Sequence, residues 1–269
     1  MTDQTPAEQF KDAVAAHRKG DFATAHRIFR SLTEGGHAGA RFSLGVMHGH
    51  GQGVPQDLAE AARWFRMAAE QGHSKAQDHL GLMYYNGHGV PRDFGEAAKW
   101  YRMAAEQGNA FAQNNLGVMY NNGEGVPQDY AEAMKWYRMA ADQGNASAQN
   151  NLGVMHGNGE GVPRDHAEAM KWYRKAADQG NPDAMFNLGV MFESGQGMSQ
   201  NHVLAHMWFN LAASRYPASR QESREDAIRS RDKVAGKMTA DRVAQAQKLA
   251  REWRPGSPSG TPPLVRRGK

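Results

Sequence analysis

Apolar and polar residues follow helical spacing in a pattern that returns every 36 residues. Leu-Gly pairs mark it at 44–45, 80–81, 116–117, 152–153 and 188–189, and Trp marks it at 64, 100, 136, 172 and 208. Within one period, Leu116 and Tyr120 lie at i, i+4 in a first helix, and Trp136 and Ala140 do so in a second. A fixed period of this length is typical of stacked helical hairpins that cannot bury their apolar faces alone. The pattern therefore predicts an all-α solenoid.

Turn and cap residues divide each period. Gly123 and Gly125 form a Gly-x-Gly turn after the first helix, roughly 112–120, and its equivalents recur in every period. The second helix begins after Asp129, where an acid followed by Glu three residues later predicts a reciprocal capping box. Gly144 is placed to end that helix in the left-handed conformation. Gly117, inside the first helix, predicts a close approach of two backbones.

Composition narrows the class of protein. The chain has no Cys, which excludes disulfides, thiolate catalysis and Cys-type zinc sites. Its beginning lacks the apolar run of a signal peptide, and no stretch approaches the ~18 apolar residues of a membrane span, so we expect a cytoplasmic protein. Residues 1–214 carry 18 basic and 22 acidic side chains, whereas 215–269 carry 14 and 6. Few aromatic residues accompany this basic end, so we expect no nucleic-acid partner.

The sequence gives only weak indications of catalytic or metal-binding residues. The glycine turns match neither phosphate-loop pattern, and the Gly-x-Gly acids Glu124 and Glu160 are replaced by Gln or His in the other periods. His48 and His50 lack a third ligand at fixed spacing, and His48 takes the place of Tyr or Phe in other repeats. The sequence therefore predicts no enzymatic activity, no cofactor and no metal site.

The repeated pattern Ala-x-x-x-Leu-Gly-x-x-Tyr-x-x-Gly-x-Gly-Val-Pro-x-Asp, followed by Ala-x-x-Trp-Tyr-x-x-Ala-Ala-x-x-Gly, resembles the Sel1-like repeat (SLR) family. That family is related to the tetratricopeptide repeat (TPR), and the resemblance implies a right-handed superhelical solenoid. We expect a TPR-like hairpin over 1–36, five repeats over 37–214, a helical C-terminal cap over 215–254 and a disordered basic tail over 255–269. The cap should contain helices over roughly 219–235 and from Thr239 to about Trp253.

The resemblance also implies where a partner would bind, because the first helices of TPR-like solenoids line the concave face. The residue before Leu-Gly matches the position where Asn bonds a peptide backbone in TPR proteins. This position and the one seven residues later form two polar rows with an apolar strip between them. The first row is His79, Asn115, Asn151 and Asn187; the second is Asn86, Asn122 and Asn158; the strip includes Val118 and Val154.

A carboxamide donates and accepts hydrogen bonds at once, so these rows suit a peptide main chain. We therefore predict a monomeric scaffold or adaptor that binds a protein or extended peptide, in bacterial signalling, envelope regulation or host interaction. The alternative for the Asn rows is a structural role, either hydrogen bonding between repeats or solvation of helix ends. A glycan- or peptidoglycan-binding envelope protein is a second functional reading. β-Lactam hydrolysis, associated with Cys-rich relatives, would need a Ser-x-x-Lys nucleophile, and Ser230 and Lys233 provide it only within a charged helix.

Overall fold

The computed structural model describes residues 4–256, and within this range all regular structure is helical. The chain divides into two compact units, Met1–Trp136 and Tyr137–Lys269. The first contains α1 Pro6–Arg18, α2 Phe22–Glu34, α3 Ala38–His50, α4 Leu58–Ala69, α5 Ser74–Asn86, α6 Phe94–Glu106 and α7 Ala110–Asn122. Helix α8, Tyr130–Asp142, spans the division. The second contains α9 Ala146–Asn158, α10 His166–Asp178, α11 Pro182–Ser194, α12 His202–Arg215, α13 Gln221–Ala235 and α14 Ala240–Glu252. The all-α, helical-hairpin prediction is confirmed.

Each hairpin core combines small and large side chains, as the sequence pattern indicated. In α5 and α6, Ala76 and Leu80 are fully buried, and Trp100 and Tyr101 are 5 % and 1 % exposed. The other four tryptophans at this repeat position are also buried. Because these indoles are in the core, they offer no surface on which a sugar ring could stack.

Glycine is needed in the Leu-Gly pairs for a different reason from the predicted one. A Cβ on Gly81 would lie 2.8 Å from the Tyr101 ring, and one on Gly189 would lie 2.6 Å from the Phe209 ring. The close neighbour is thus an aromatic ring of the second helix, and the predicted backbone approach at this position is wrong.

Two backbones do approach at the second glycine of the Gly-x-Gly turns. A Cβ on Gly125 would overlap the carbonyl group of Phe94, at the start of α6, and Gly125 has a φ of 69°. The turn of one repeat therefore rests directly on the second helix of the preceding repeat.

The N-caps of the second helices are confirmed, but the reciprocal box is wrong. Asp57 Oδ1 accepts from the amide of Glu60 at 2.9 Å, while the amide of Asp57 itself donates to the carbonyl of His48. Because the amide of Asp57 already donates to the carbonyl of His48, it is not available to the Glu60 side chain. The Glu60 side chain therefore turns outward. Glu60 pairs instead with Arg63 at 3.2 Å. The same arrangement of cap acid and i, i+3 ion pair occurs at Asp93, Asp129 and Asp165.

The first helices use two kinds of cap. Asn109, Asn145 and Asn181 cap α7, α9 and α11 with their side-chain oxygens. His37 and His73 cap α3 and α5 through Nδ1, which accepts the amides of Ala40 and Ala76 at 3.1 and 3.2 Å. In both caps the imidazole Nδ1 takes the acceptor role that the side-chain oxygen has in the Asn caps.

The last two described helices both pack on α12. Trp208 of α12 meets Trp253 edge to face, with ring centroids 5.9 Å apart. Helix α13 buries only Ala227 and Val234 and exposes charge on its remaining surface. The expected disordered tail lies, apart from its first two residues, outside the described range. No helix between residues 4 and 256 combines the length and apolarity needed to cross a membrane.

Candidate functional site

The predicted residues share one face of the first helices. On α7, Phe111, Asn115, Val118 and Asn122 lie at i, i+4, i+7 and i+11, and Phe111 is 69 % exposed. We call the corresponding positions of the first helices within each unit the first-helix face of that unit. On α5 these positions hold Lys75, His79, Leu82 and Asn86; on α9, Ser147, Asn151, Val154 and Asn158; on α11, Asp183, Asn187, Val190 and Ser194.

In the first unit, the face contains a cavity of about 140 Å³ between α5 and α7. We call it the α5/α7 niche. It is lined by Leu82, Tyr85, Asn86, Tyr101, Asn115 and Val118. The structure thus brings together members of both predicted polar rows and of the apolar strip. Leu82, which is 46 % exposed, forms part of its open side.

The second unit has an equivalent cavity of about 380 Å³, which we call the α9/α11 niche. Its lining includes Asn158, Tyr173, Asn187 and Val190, each 72 residues after its counterpart in the α5/α7 niche. The arrangement is therefore a property of the repeat.

The first polar row also connects neighbouring repeats. Asn187 Nδ2 donates to Asn150 Oδ1 at 3.0 Å. This bond joins consecutive first helices, as the alternative interpretation of the row required. Because a carboxamide has further donor and acceptor positions, this structural bond and a bond to a peptide are compatible.

The second polar row is exposed and makes local bonds. Asn86 Nδ2 donates to the carbonyl of Leu82 at 3.1 Å, and Asn158 Nδ2 donates to Glu160 Oε1 at 2.8 Å. Asn122 Nδ2 similarly lies 3.4 Å from Glu124 Oε2. These bonds hold the side chains without joining repeats, so their substitution should disturb packing less than substitution of the first row.

His79 is the least polar member of the first row. Its ring lies 5.3 Å from Phe42 and 5.0 Å from Phe65, centroid to centroid. Burial, followed by the positive neighbours His50, His73 and Lys75, lowers the pKa of the His79 imidazole. His79 therefore contributes an aromatic surface to the first-helix face.

The sequence pattern did not indicate the role of the turn glutamate. Glu124 Oε2 accepts the Tyr85 hydroxyl at 2.8 Å, across 39 residues of sequence. The carboxylate therefore holds a wall of the α5/α7 niche, and its interpretation as a replaceable turn residue is corrected. The repeat carried no signal for this bond, because the positions equivalent to Tyr85 hold Gly49, Asn121, Gly157 and Glu193.

Asp78 is a charged group held between repeats. Burial raises the pKa of the Asp78 carboxyl to about 6, against a partial lowering by the hydrogen bond from Asn115. Its Oδ1 is buried without a hydrogen-bond partner in the described structure. The corresponding positions of the next two repeats hold Asn114 and Asn150, which carry no charge.

We expect Asp78→Asn to stabilise the protein at pH 7.5 by about 1–3 kcal/mol and to have little effect at pH 4. The folded pKa lies above the ordinary value of 3.8, so the cost of the buried charge is present above about pH 6 and disappears as Asp78 is protonated. Urea denaturation at the two pH values measures the difference. An equal gain at both values would show that the buried charge is not the cause.

The described residues contain no arrangement that suggests hydrolysis or metal binding. Lys233 Nζ pairs with Glu193 at 3.1 Å, on the surface of α13, so its Ser-x-x-Lys spacing does not form a pocket. Between residues 4 and 256, no group of three His, Asp or Glu could hold a metal ion. His48 instead packs edge to face against His26, at 5.9 Å.

Sequence comparison assigns the repeats. The sequence model of the Sel1 repeat matches residues 38–73, 74–109, 110–145, 146–181 and 182–216. The chain belongs to the Sel1 repeat family. Sel1 repeats generally form scaffolds that bind proteins. No protein of curated function shows significant similarity to the chain.

Two solved Sel1 repeat structures agree with this assignment. The protective antigen c5321 of uropathogenic Escherichia coli, which displays an SLR fold, is 34 % identical over 91 % of this chain, with a TM-score of 0.74. The chain spans 52 % of the length of that antigen. A Sel1 repeat protein from Oxalobacter formigenes is also 34 % identical, with a TM-score of 0.70, over 77 % of this chain and 85 % of its own.

Proposed function

We propose that this Sel1 repeat protein is a non-catalytic scaffold that binds an extended peptide segment of a partner protein along the first-helix face. The observation that supports this most strongly is the repeated niche. In both units it places carboxamides from two consecutive first helices beside an apolar wall. Peptide main chains present alternating donors and acceptors, which carboxamides can satisfy regardless of side chain.

The apolar residues of this face supply the second component of the proposed affinity. Leu82 and Phe111 are 46 % and 69 % exposed, on neighbouring helices α5 and α7. Removing such area from water favours association at roughly 25 cal/mol per Å² before the costs of ordering are subtracted. The main chain would therefore lie along the Asn rows while selected side chains cover Leu82 and Phe111.

The test begins with random 12-residue peptides selected by phage display against the full chain. We expect selected peptides to lose about 10-fold or more in affinity for the triple variant Asn86→Ala, Asn122→Ala and Asn158→Ala, since each lost hydrogen bond contributes about 0.5–1.5 kcal/mol. Methylation of alternate peptide main-chain nitrogens should weaken binding comparably. Affinities are measured by isothermal titration calorimetry.

A matched control uses the exposed methionines of the second helices, Met103 and Met139, which are 38 % and 40 % exposed. The double variant Met103→Ala, Met139→Ala should bind the same peptides as the unaltered chain. If the methionine variant loses affinity while the asparagine variant and the N-methylated peptides retain it, recognition uses another face and the proposal is wrong.

A further inference from the structure

A phenol ring of the chain itself, that of Tyr85, forms one wall of the α5/α7 niche. The Tyr85 ring packs edge to face against Phe94, with centroids 5.2 Å apart, and its hydroxyl donates to Glu124 Oε2 at 2.8 Å. The Arg92 guanidinium lies over the Phe94 ring, 5.3 Å from its centroid. The Tyr85 side chain thus has a ring neighbour and a hydrogen-bond partner, and a cation lies on the neighbouring ring.

Two repeats later, the tyrosine is missing, and its neighbours are an imidazole, a carboxamide and an arginine. Gly157 stands 72 residues after Tyr85, at the same place in α9. His166 stands in place of Phe94, Gln196 in place of Glu124, and Arg164 in place of Arg92; all three line the α9/α11 niche. The niche is correspondingly larger, about 380 Å³ against about 140 Å³.

The space beside Gly157 admits a side chain. A Cβ at this glycine would meet only the Ala169 Cβ and the Tyr173 hydroxyl, both at the ordinary contact distance of 3.7 Å. Gly157 lies inside α9 with an ordinary helical φ, so neither its backbone nor its neighbours require glycine. The space beside Gly157 is therefore open to a side chain.

We propose that the α9/α11 niche binds a tyrosine side chain of the partner peptide, in the mode that Tyr85 shows within the α5/α7 niche. The incoming ring packs against the His166 imidazole with Arg164 beside it. Its hydroxyl reaches the carboxamide oxygen of Gln196, which can accept a hydrogen bond as Glu124 does from Tyr85. That the tyrosine belongs to a peptide rests on the proposed function; the site for the phenol ring itself does not.

The side chain of Gln196 sets the expected selectivity. A phenylalanine ring would fit the same space but has no hydroxyl for the Gln196 carboxamide. The two ligands therefore differ by a single hydrogen bond. Such a bond corresponds to a difference of roughly 3- to 10-fold in affinity. An aliphatic side chain would also lose the ring contacts with His166.

The probes are N-acetyl-tyrosinamide and N-acetyl-phenylalaninamide, titrated into the full chain and followed by ¹H–¹⁵N NMR. We expect saturable shifts at Gly157 and Gln196, with the tyrosine compound binding roughly 3- to 10-fold more tightly. Gly157→Tyr should abolish these shifts, because the chain then supplies the ring. Gly157→Ala is the matched control, and it should retain binding because a Cβ fits without overlap.

Gln196→Leu provides a test that does not depend on refilling the cavity. Gln196 is exposed in the turn after α11, and its substitution should remove the preference for tyrosine over phenylalanine while leaving ring binding. If neither Gly157→Tyr nor Gln196→Leu changes the NMR shifts that the compounds cause, the proposal of a tyrosine site is wrong.

The two proposals can fail separately. Peptides that depend on the asparagine row and contain no preferred tyrosine, with no response to the tyrosine compound, would overturn the tyrosine site and support peptide binding. Saturable binding of the tyrosine compound, with no peptide that depends on the asparagine row, would support the site and overturn the scaffold function.

Discussion

Gly125→Ala is expected to lower the free energy of unfolding by about 2–5 kcal/mol. Gly125 has a φ of 69°, in the left-handed region, which costs a residue with a Cβ about 1–2 kcal/mol. The added Cβ would also overlap the carbonyl oxygen and carbon of Phe94. Since those atoms are backbone at the start of α6, they cannot rotate away, and the shift needed adds about 1–3 kcal/mol.

Gly108→Ala separates the two contributions. Gly108 has a φ of 86°, but a Cβ there would meet nothing within 4 Å, so only the cost of the left-handed backbone, about 1–2 kcal/mol, is expected. Guanidinium denaturation followed by circular dichroism gives both values. Equal losses for the two variants would show that the turn does not rest on the preceding repeat as described.

Trp208→Ala is expected to cost about 3–5 kcal/mol, the usual range for truncation of a buried indole. Trp208 is 2 % exposed and meets Trp253 across the contact between α12 and the last described helix. Its indole nitrogen has no hydrogen-bond partner in the described structure, so the loss is one of packing. Because both α13 and α14 rest on α12, the damage should concentrate in these two helices.

Hydrogen exchange measured by mass spectrometry locates that damage. Amides of α13 and α14 should exchange faster in Trp208→Ala than those of α9 and α10, since repeats contact mainly their neighbours. Met139→Ala, at a 40 % exposed position, is the control and should change stability by less than about 0.5 kcal/mol. If amide exchange instead became faster to the same extent throughout the chain, the conclusion that Trp208 mainly stabilises α13 and α14 would be wrong.

Features that depend on nearby residues were predictable from the sequence. The cap at Asp129 joins groups two and three residues apart, and Gly144 ends its helix with a φ of 88°. The 36-residue period then predicts the positions of the helices in each repeat, because equivalent residues pack in the same way. The resemblance of the pattern to Sel1 repeats was confirmed by the comparison with the family.

Features that depend on contacts between distant segments were not predictable. The outward turn of Glu60 follows from a carbonyl at His48, across the inter-helix turn. The Glu124–Tyr85 bond joins neighbouring repeats, and neither residue type indicates it alone. In the sequence alone, Gly157 is an ordinary substitution. Only the structure shows that the side chain of its counterpart, Tyr85, lies in the equivalent space. The binding role of the Asn rows stays a prediction, and the structure shows hydrogen bonding between repeats for Asn187.

The central claim is that the first-helix face binds an extended peptide, and amide hydrogen exchange with a bound, display-selected peptide tests it most directly. We predict that saturating peptide slows exchange in the first helices of at least one unit, α5 and α7 or α9 and α11, and leaves the outer surfaces of α6 and α10 unchanged. Slowed exchange confined to the second helices, or to the basic helices α13 and α14, would contradict the claim.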